Sequence, residues 1–284
     1  MRVDLHLHTT ASDGTESPER VTALARESGL DLIAITDHDT VSGLAEAKRS
    51  LPEGVRLISG VEMSCSVMGE DGFRCHILGY GIDPDAAPMT EAIALGREKR
   101  QRKLEDRIAY LKDSYGIALT EEEAAFLRSK NSPSRLHLGQ LLVAKGLCSD
   151  IDSAIMTYLD YRSLPDGRLG AEYTISAIKR AGGVPSFAHP LGGEGEAHLE
   201  RRELYRRVDI LKDLGIMGLE GFYSRYTEAE EDFLCRTAQK RGLLVSAGSD
   251  WHGANKTVSL GSLSVSGREP SAEDVTLVKY LLGK

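Results

Sequence analysis

The sequence predicts an α/β fold, a barrel carrying a helical insertion, and three observations lead there. Short apolar runs recur along the chain with amphipathic helical stretches between many of them, which is the alternation a parallel sheet requires. The alternation lapses over residues 89–170, where one helical pattern follows another. Histidines and carboxylates collect at the ends of the apolar runs, and the C-terminal ends of parallel strands converge on one face of a barrel. A chain of 284 residues is long enough for a single such barrel with an insertion. The barrel is therefore expected from residues 1–88 and 171–284, with residues 89–170 forming a helical, substrate-binding cap.

Taken in order, the strand-like runs are residues 2–6, 32–36, 55–63, 74–80, 184–189, 217–223, 243–248 and 257–263. Between the first two, residues 18–28 read as a helix. Ser17 is the N-cap and Pro18 the first helical residue, Val21, Leu24 and Ala25 share one face, and Gly29 ends it. The insertion reads as helices over 90–113, 120–130, 135–145 and 150–161, and the turn Leu164-Pro165-Asp166-Gly167 marks the return to the barrel. A last helix over 271–282 closes the fold. There is no internal repeat and no low-complexity segment.

Charge and cysteine usage narrow the classes of function. Lys and Arg number 35 against 43 Asp and Glu, a net charge of −8, so the chain repels a long polyanion. No long duplex nucleic acid is expected as a partner, and a nucleic-acid substrate would have to be short and held by a local basic patch. Cys65, Cys75, Cys148 and Cys235 form no CxxC pair, which suits reduced thiols and a cytoplasmic location. Asp4 and His6 fall where a signal segment would be apolar, and no uninterrupted apolar stretch approaches a membrane span, so no membrane association is expected.

Six of the eight histidines lie in, at the end of, or just beyond an apolar run: His6, His8, His38, His76, His189 and His252. His6-Leu7-His8 alternates along an extended segment, which points both imidazoles the same way. Asp13 follows in a turn, Glu62 ends Ile58-Ser59-Gly60-Val61, and Asp250 precedes His252 by two. Singly, Asp13 reads as a turn former and Glu62 as an ion-pair partner. Together, so many imidazoles and acids gathered at one barrel face would carry a steep desolvation cost that metal ions relieve. Asp37 and Asp39 flank His38 in supporting or capping roles, and His137 and His198 lie outside the pattern.

These motifs, HxH with Asp13, the TDH ending at His38, the GVE ending at Glu62, the HxLGY from His76, the AHP around His189 and the SDxH ending at His252, resemble in order the PHP family, named for polymerase and histidinol phosphatase. The resemblance implies a distorted (β/α)7 TIM-like barrel and a trinuclear metal site. By that similarity His6, His8, Glu62 and Asp250 hold one ion, Glu62, His76 and His189 a second, and Asp13, His38 and His252 a third. Two or three divalent ions are expected, Mn²⁺ first, with Fe²⁺ or Zn²⁺ equally compatible with thiolate-free nitrogen and oxygen donors. Paired ions activate a water and clamp the oxygens of an in-line displacement at phosphorus. His189 and His252 are the candidate acids for the leaving oxygen.

For the substrate, Arg100, Lys103 and Arg107 share a helix face that can cover an anion or simply be solvated. Ser132-Pro133-Ser134-Arg135-Leu136-His137 opens a helix, either as a phosphate site or as an ordinary capped start. Arg135 and His137 resemble the Arg-x-His of PHP members with a helical insertion that act on nucleotides. Arg225, after the run 217–223, is a further cation near the expected site. The expected substrate is a small phosphorylated nucleotide, most of all a 3′,5′-bisphosphonucleotide losing its 3′-phosphate, together with short oligoribonucleotides trimmed 5′ to 3′. The alternatives are histidinol phosphate or another small phosphomonoester, and a non-catalytic binding module; an amidohydrolase could use a similar cluster, but no lysine at a strand end offers the bridging ligand.

Overall fold

The structure, a computed structural model, describes residues 1–70, 72–130, 133–159, 167–193, 197–271 and 273–283. Ser132, residue 161 and the expected turn residues Leu164, Pro165 and Asp166 lie outside the described residues. The chain divides into two compact units, residues 1–92 with 169–284, and residues 93–168.

The first unit holds β1 (Val3–Leu7), α1 (Pro18–Glu27), β2 (Leu32–Ile35), α2 (Leu44–Arg49), β3 (Arg56–Val67) and β4 (Phe73–Tyr80). After the second unit it continues with β5 (Leu169–Gly170), α7 (Ala171–Arg180), β6 (Val184–Phe187), α8 (Arg201–Asp213), β7 (Gly218–Tyr223), α9 (Glu228–Arg241), β8 (Leu244–Gly248) and α10 (Thr276–Leu282). The second unit contains most of α3 (Ala87–Tyr115), then α4 (Glu121–Arg128), α5 (Arg135–Ala144) and α6 (Ile151–Tyr158). Its core is Leu104, Leu111, Leu127, Leu138, Leu142, Ala154 and Leu159.

Seven strands run β1-β2-β3-β4-β6-β7-β8 as a nearly closed α/β barrel, and the two-residue β5 adds to β3. The ends meet at the mouth, where the His8 amide donates to the Trp251 carbonyl at 3.0 Å and the Asp250 amide to the His6 carbonyl at 2.9 Å. Strand alternation sorts β1 into two faces. Leu7 joins Val21, Ala25, Ile33, Ile35 and Trp251 in the apolar layer, while Asp4, His6 and His8 alternate with it and are fully buried on the opposite face. The α1 boundaries follow from chemistry read in the sequence: the Ser17 side chain accepts from the Arg20 amide, and Gly29 takes φ +70° past the last turn.

Three expectations are corrected. β4 is antiparallel to both β3 and β6, so the sheet is not wholly parallel. Only residues 68–72 separate β3 from β4, too few for the crossover a parallel return needs. Residues 257–263 form no strand. Gly261 takes φ +77° in a turn where the Ser262 amide donates to the Ser259 carbonyl at 3.0 Å, and Val258 and Leu260 satisfy their apolar character by packing on the Leu7 cluster. The last helix starts at Thr276 rather than at 271.

Ile33 is fully buried in the layer between β2 and the helices. Ile33→Ala is expected to lower unfolding free energy by about 2–5 kcal/mol, measured by urea denaturation; a loss below about 1 kcal/mol would show that this layer is not tightly packed.

Candidate metal centre

Glu62, fully buried on β3, is the hub toward which the histidines point. Its Oε2 lies 3.2 Å from His6 Nε2, 3.2 Å from His8 Nε2 and 2.9 Å from His38 Nδ1. Its Oε1 lies 2.9 Å from His76 Nδ1 and 3.2 Å from His189 Nε2. His76 reaches it because the antiparallel register pairs Ser64 with His76 and Glu62 with Leu78, a diagonal relation on one sheet face. His38 is drawn in by the Asp39 amide donating to the Glu62 carbonyl at 2.9 Å.

Asp250 turns Oδ1 toward His8 Nε2 at 3.3 Å and His6 Nε2 at 3.5 Å. Asp13 Oδ1 lies 3.4 Å from His252 Nε2 and 4.0 Å from His8 Nδ1. All nine residues expected from sequence therefore meet at one mouth. Three groups have ligand atoms within 4.8 Å of one another: His6, His8, Glu62 and Asp250; His8, Asp13, His38 and His252; and His38, Glu62 and His76. The first is the expected set. In the others His8 joins the Asp13 group and His38 stands beside Glu62 and His76, with His189 sharing Glu62 Oε1 with His76.

The donor atoms test whether cations belong here. His6 Nε2, both nitrogens of His8, Asp13 Oδ1, His38 Nδ1 and Glu62 Oε2 are buried and make no hydrogen bond. Buried polar atoms without partners are rare and destabilising, and six in one place are relieved by ions sitting among them. The imidazole and carboxylate donors fit Mn²⁺, Fe²⁺ or Zn²⁺ without choosing among them.

The same crowding perturbs protonation. Burial pushes His6 down, but Glu62, Glu220 and Asp250 together outweigh it and hold the imidazole well above its ordinary value. His8, likewise opposed by burial, is raised to about 9 by Asp250 and Glu62. Burial disfavours the Glu62 carboxylate, yet His38, His6 and His76 keep it well below the usual range. His252 is lowered to about 3 by burial first and then by His8 and Lys256.

A surrounding layer orients these groups, and sequence reading did not find most of it. Glu220 on β7 accepts from His6 Nδ1 at 3.0 Å and from the His189 amide at 2.7 Å, which aims His6 Nε2 at the hub. Asp4, raised to about 6 by burial, takes the Ser249 and Gly261 amides at 2.9 and 2.8 Å. Tyr223 and Lys256 donate to Asp250 Oδ2 at 2.9 and 2.6 Å. The available signal was an acid inside an apolar run, Val3-Asp4-Leu5 and Leu219-Glu220-Gly221; Lys256 stands in mixed sequence and had none. Asp37 accepts from the Thr9 amide, the Thr9 hydroxyl and the Ser12 hydroxyl, and Asp39 from the Ser64 amide. Among the described residues, the non-glycine positions with positive φ are Asp39, His189 and Asp250, all at this mouth, where surrounding bonds hold the strain.

Of the expected substrate residues, Arg225 is exposed in the turn after β7, on the barrel unit. Lys103, Arg135 and His137 belong to the second unit. Arg135 opens α5, and the buried His137 accepts the Ser134 amide at Nδ1, 3.1 Å, so that nitrogen caps the helix. Among the described residues no helix is long and apolar enough to cross a membrane.

The PHP domain pattern matches residues 4–139. A 5′-3′ exoribonuclease of Haemophilus influenzae is 31% identical over 261 residues, covering 88% of this chain and 90% of its own. The chain belongs to the PHP family. A 3′,5′-nucleoside bisphosphate phosphatase of Chromobacterium violaceum is 30% identical over 264 residues, covering 88% of this chain and 87% of its own. A Bifidobacterium adolescentis structure described as a metal-dependent phosphoesterase superposes with TM-score 0.81 and 28% identity, over 99% of this chain and 98% of that one. This PHP-family chain is a metal-dependent phosphoesterase.

Glu220→Gln removes an acceptor for His6 or for the His189 amide. Mn²⁺ affinity is expected to fall by about 10–100-fold, read by titration calorimetry on metal-stripped protein; an unchanged Kd would mean that Glu220 does not aim the ligand.

Proposed function

We propose that this phosphoesterase removes the 3′-phosphate of a 3′,5′-bisphosphonucleotide, giving a nucleoside 5′-monophosphate and phosphate, and that it also trims short oligoribonucleotides from the 5′ end. The observation that carries the reading is the convergence of unpartnered buried nitrogen and oxygen atoms on Glu62. The relatives named a nucleoside bisphosphate phosphatase and an exoribonuclease support the substrate class.

His6, His8, Asp13, His38, Glu62, His76, His189, Asp250 and His252 would hold two or three divalent ions, with Mn²⁺ our choice. Such ions, when bound, lower the pKa of a water to near neutrality and offset charge growing on phosphoryl oxygens. The chain's part is positional. Glu62 holds five imidazoles around one carboxylate, and Glu220 fixes the orientation of His6 and the backbone of His189. His189 and His252 are the candidate proton donors to the leaving oxygen. His252 Nδ1 lies 2.8 Å from the Asp250 carbonyl, which engages its N–H and turns Nε2 toward Asp13, so of the two candidates the donor role is proposed first for His189. Lys103, Arg135, His137 and Arg225 are the groups proposed to contact substrate.

The test is a panel of adenosine 3′,5′-bisphosphate, histidinol phosphate and a short RNA, assayed on protein stripped by chelator and on the same protein reloaded with Mn²⁺. Activity is expected to vanish on stripping, return on reloading and favour the bisphosphate, with Glu62→Gln inactive throughout. A preference for histidinol phosphate overturns the substrate, and reloaded protein without stoichiometric metal overturns the centre itself.

A further inference from the structure

Beside the ligand cluster, within the barrel unit, lies a cavity of about 380 Å³ bounded by Arg74, His76, Phe187, His189, Leu199 and Arg207 among others. It exists because β4 runs against its neighbours. Pairing with β6 extends from Tyr80 to Ile77, and the Ala188 amide then reaches the His76 carbonyl at 3.1 Å. Beyond that point the chain after β6 leaves the sheet, while β4 continues outward through Cys75, Arg74 and Phe73, still paired to β3. The gap between the outgoing strand and the departing segment is the cavity.

Its walls differ in chemistry. Arg74 is exposed and two residues from His76, so alternation puts it on the ligand-bearing face, about 7 Å further along the strand. The register confirms the sharing of that face, with Ser66 opposite Arg74 and Ser64 opposite His76. Phe187, Pro190 and Leu199 supply apolar surface. Arg207 is paired to Glu203 at 2.7 Å and lies over the Phe73 ring at 4.8 Å, so it contributes a flat face more than a net charge. The opposite wall is preformed: the Gly192 amide donates to the His189 carbonyl at 2.8 Å, the Leu191 amide to the Tyr226 hydroxyl at 2.8 Å and the Leu199 amide to the Leu191 carbonyl at 2.9 Å.

A cation adjoining the ligand cluster, flat and apolar surfaces behind it, and a volume within the range of small-molecule sites describe a receptor for an organic group attached to the reacting phosphate. We infer that this cavity receives the nucleoside of the substrate, with Arg74 binding sugar–phosphate oxygens and the Phe187–Leu199 side facing the base. The inference rests on the nucleotide reading above and assigns it a place on the barrel itself.

The test compares Mn²⁺-loaded wild type with Arg74→Ala, Arg74→Lys and Ala197→Trp, the last placing an indole on a residue that lines the cavity. KM and kcat are measured for adenosine 3′,5′-bisphosphate and for p-nitrophenyl phosphate, which lacks a nucleoside, and adenosine 5′-monophosphate binding is measured by calorimetry. Arg74→Ala and Ala197→Trp are expected to raise KM for the bisphosphate about tenfold or more and to weaken monophosphate binding alike, with p-nitrophenyl phosphate changed less than about twofold and Arg74→Lys in between. Circular dichroism melts confirm folding, and Arg74→Ala, at an exposed position, keeps the test open if the tryptophan variant misfolds. Unaltered bisphosphate KM in a wild type that turns over the nucleotide, or an equal rise for both substrates, overturns this inference alone. A wild type inactive on every nucleotide but active on p-nitrophenyl phosphate overturns the nucleotide reading and this assignment with it.

Discussion

A carboxylate fully removed from solvent is among the least favourable things a protein can build, and Glu62 is tolerable only because five imidazoles surround it. That requirement organises the mouth of the barrel. The histidines come from β1 and the residue after it, from the segment after β2, from β4 and from the segment after β6, so the strands must be arranged around Glu62 for the charge to be matched. The imidazoles in turn crowd one another and leave nitrogens with no hydrogen-bond partner, which is the condition that cations among them resolve. Charge balance at one point thus sets ligand placement, the antiparallel position of His76 and the need for metal.

The supporting residues show how the fold keeps those groups from relaxing. Glu220 binds His6 and the His189 backbone at once, tying β7 to β1 and to the end of β6. At Gly248 a β-carbon would fall 2.1 Å from His6 Cβ and 2.8 Å from Glu220 Oε1, so β8 can pass this close only without a side chain. Asp250 takes φ +58° while its two oxygens are divided between the histidines and the Tyr223–Lys256 pair. Strain, close approach and buried charge are concentrated where the chemistry is, and the helical outer layer is packed conventionally.

The barrel was legible in the sequence because its strands are buried on both faces and read as continuous apolar runs, and because His6-Leu7-His8 carries the strand period in its own chemistry. The cluster was legible because imidazoles at strand ends have no ordinary packing purpose in such numbers. The direction of β4 was not read, although the short link 68–72 carried that information in its length. Residues 257–263 misled because apolar residues in a turn that packs on a core look like a strand when only composition is weighed. Glu220 and Asp4 were missed for the converse reason: a single acid in an apolar run reads as noise until its partners, 214 and 245 residues away in sequence, are known. His137 could be read equally as a cap or as an anion ligand, and its Nδ1 serves the cap.

The seam between β1 and β8 has a consequence for biosynthesis. His6 and His8 are synthesised before Asp250 and His252, which complete their side-chain groups and follow more than 240 residues later. A growing chain past Glu62 therefore carries three residues of each four-membered group without the fourth, with the Asp250 amide that bonds the His6 carbonyl still unmade. The fourth member of each group and the bonds that join β8 to β1 arrive together, so a chain cut before Asp250 would lack both.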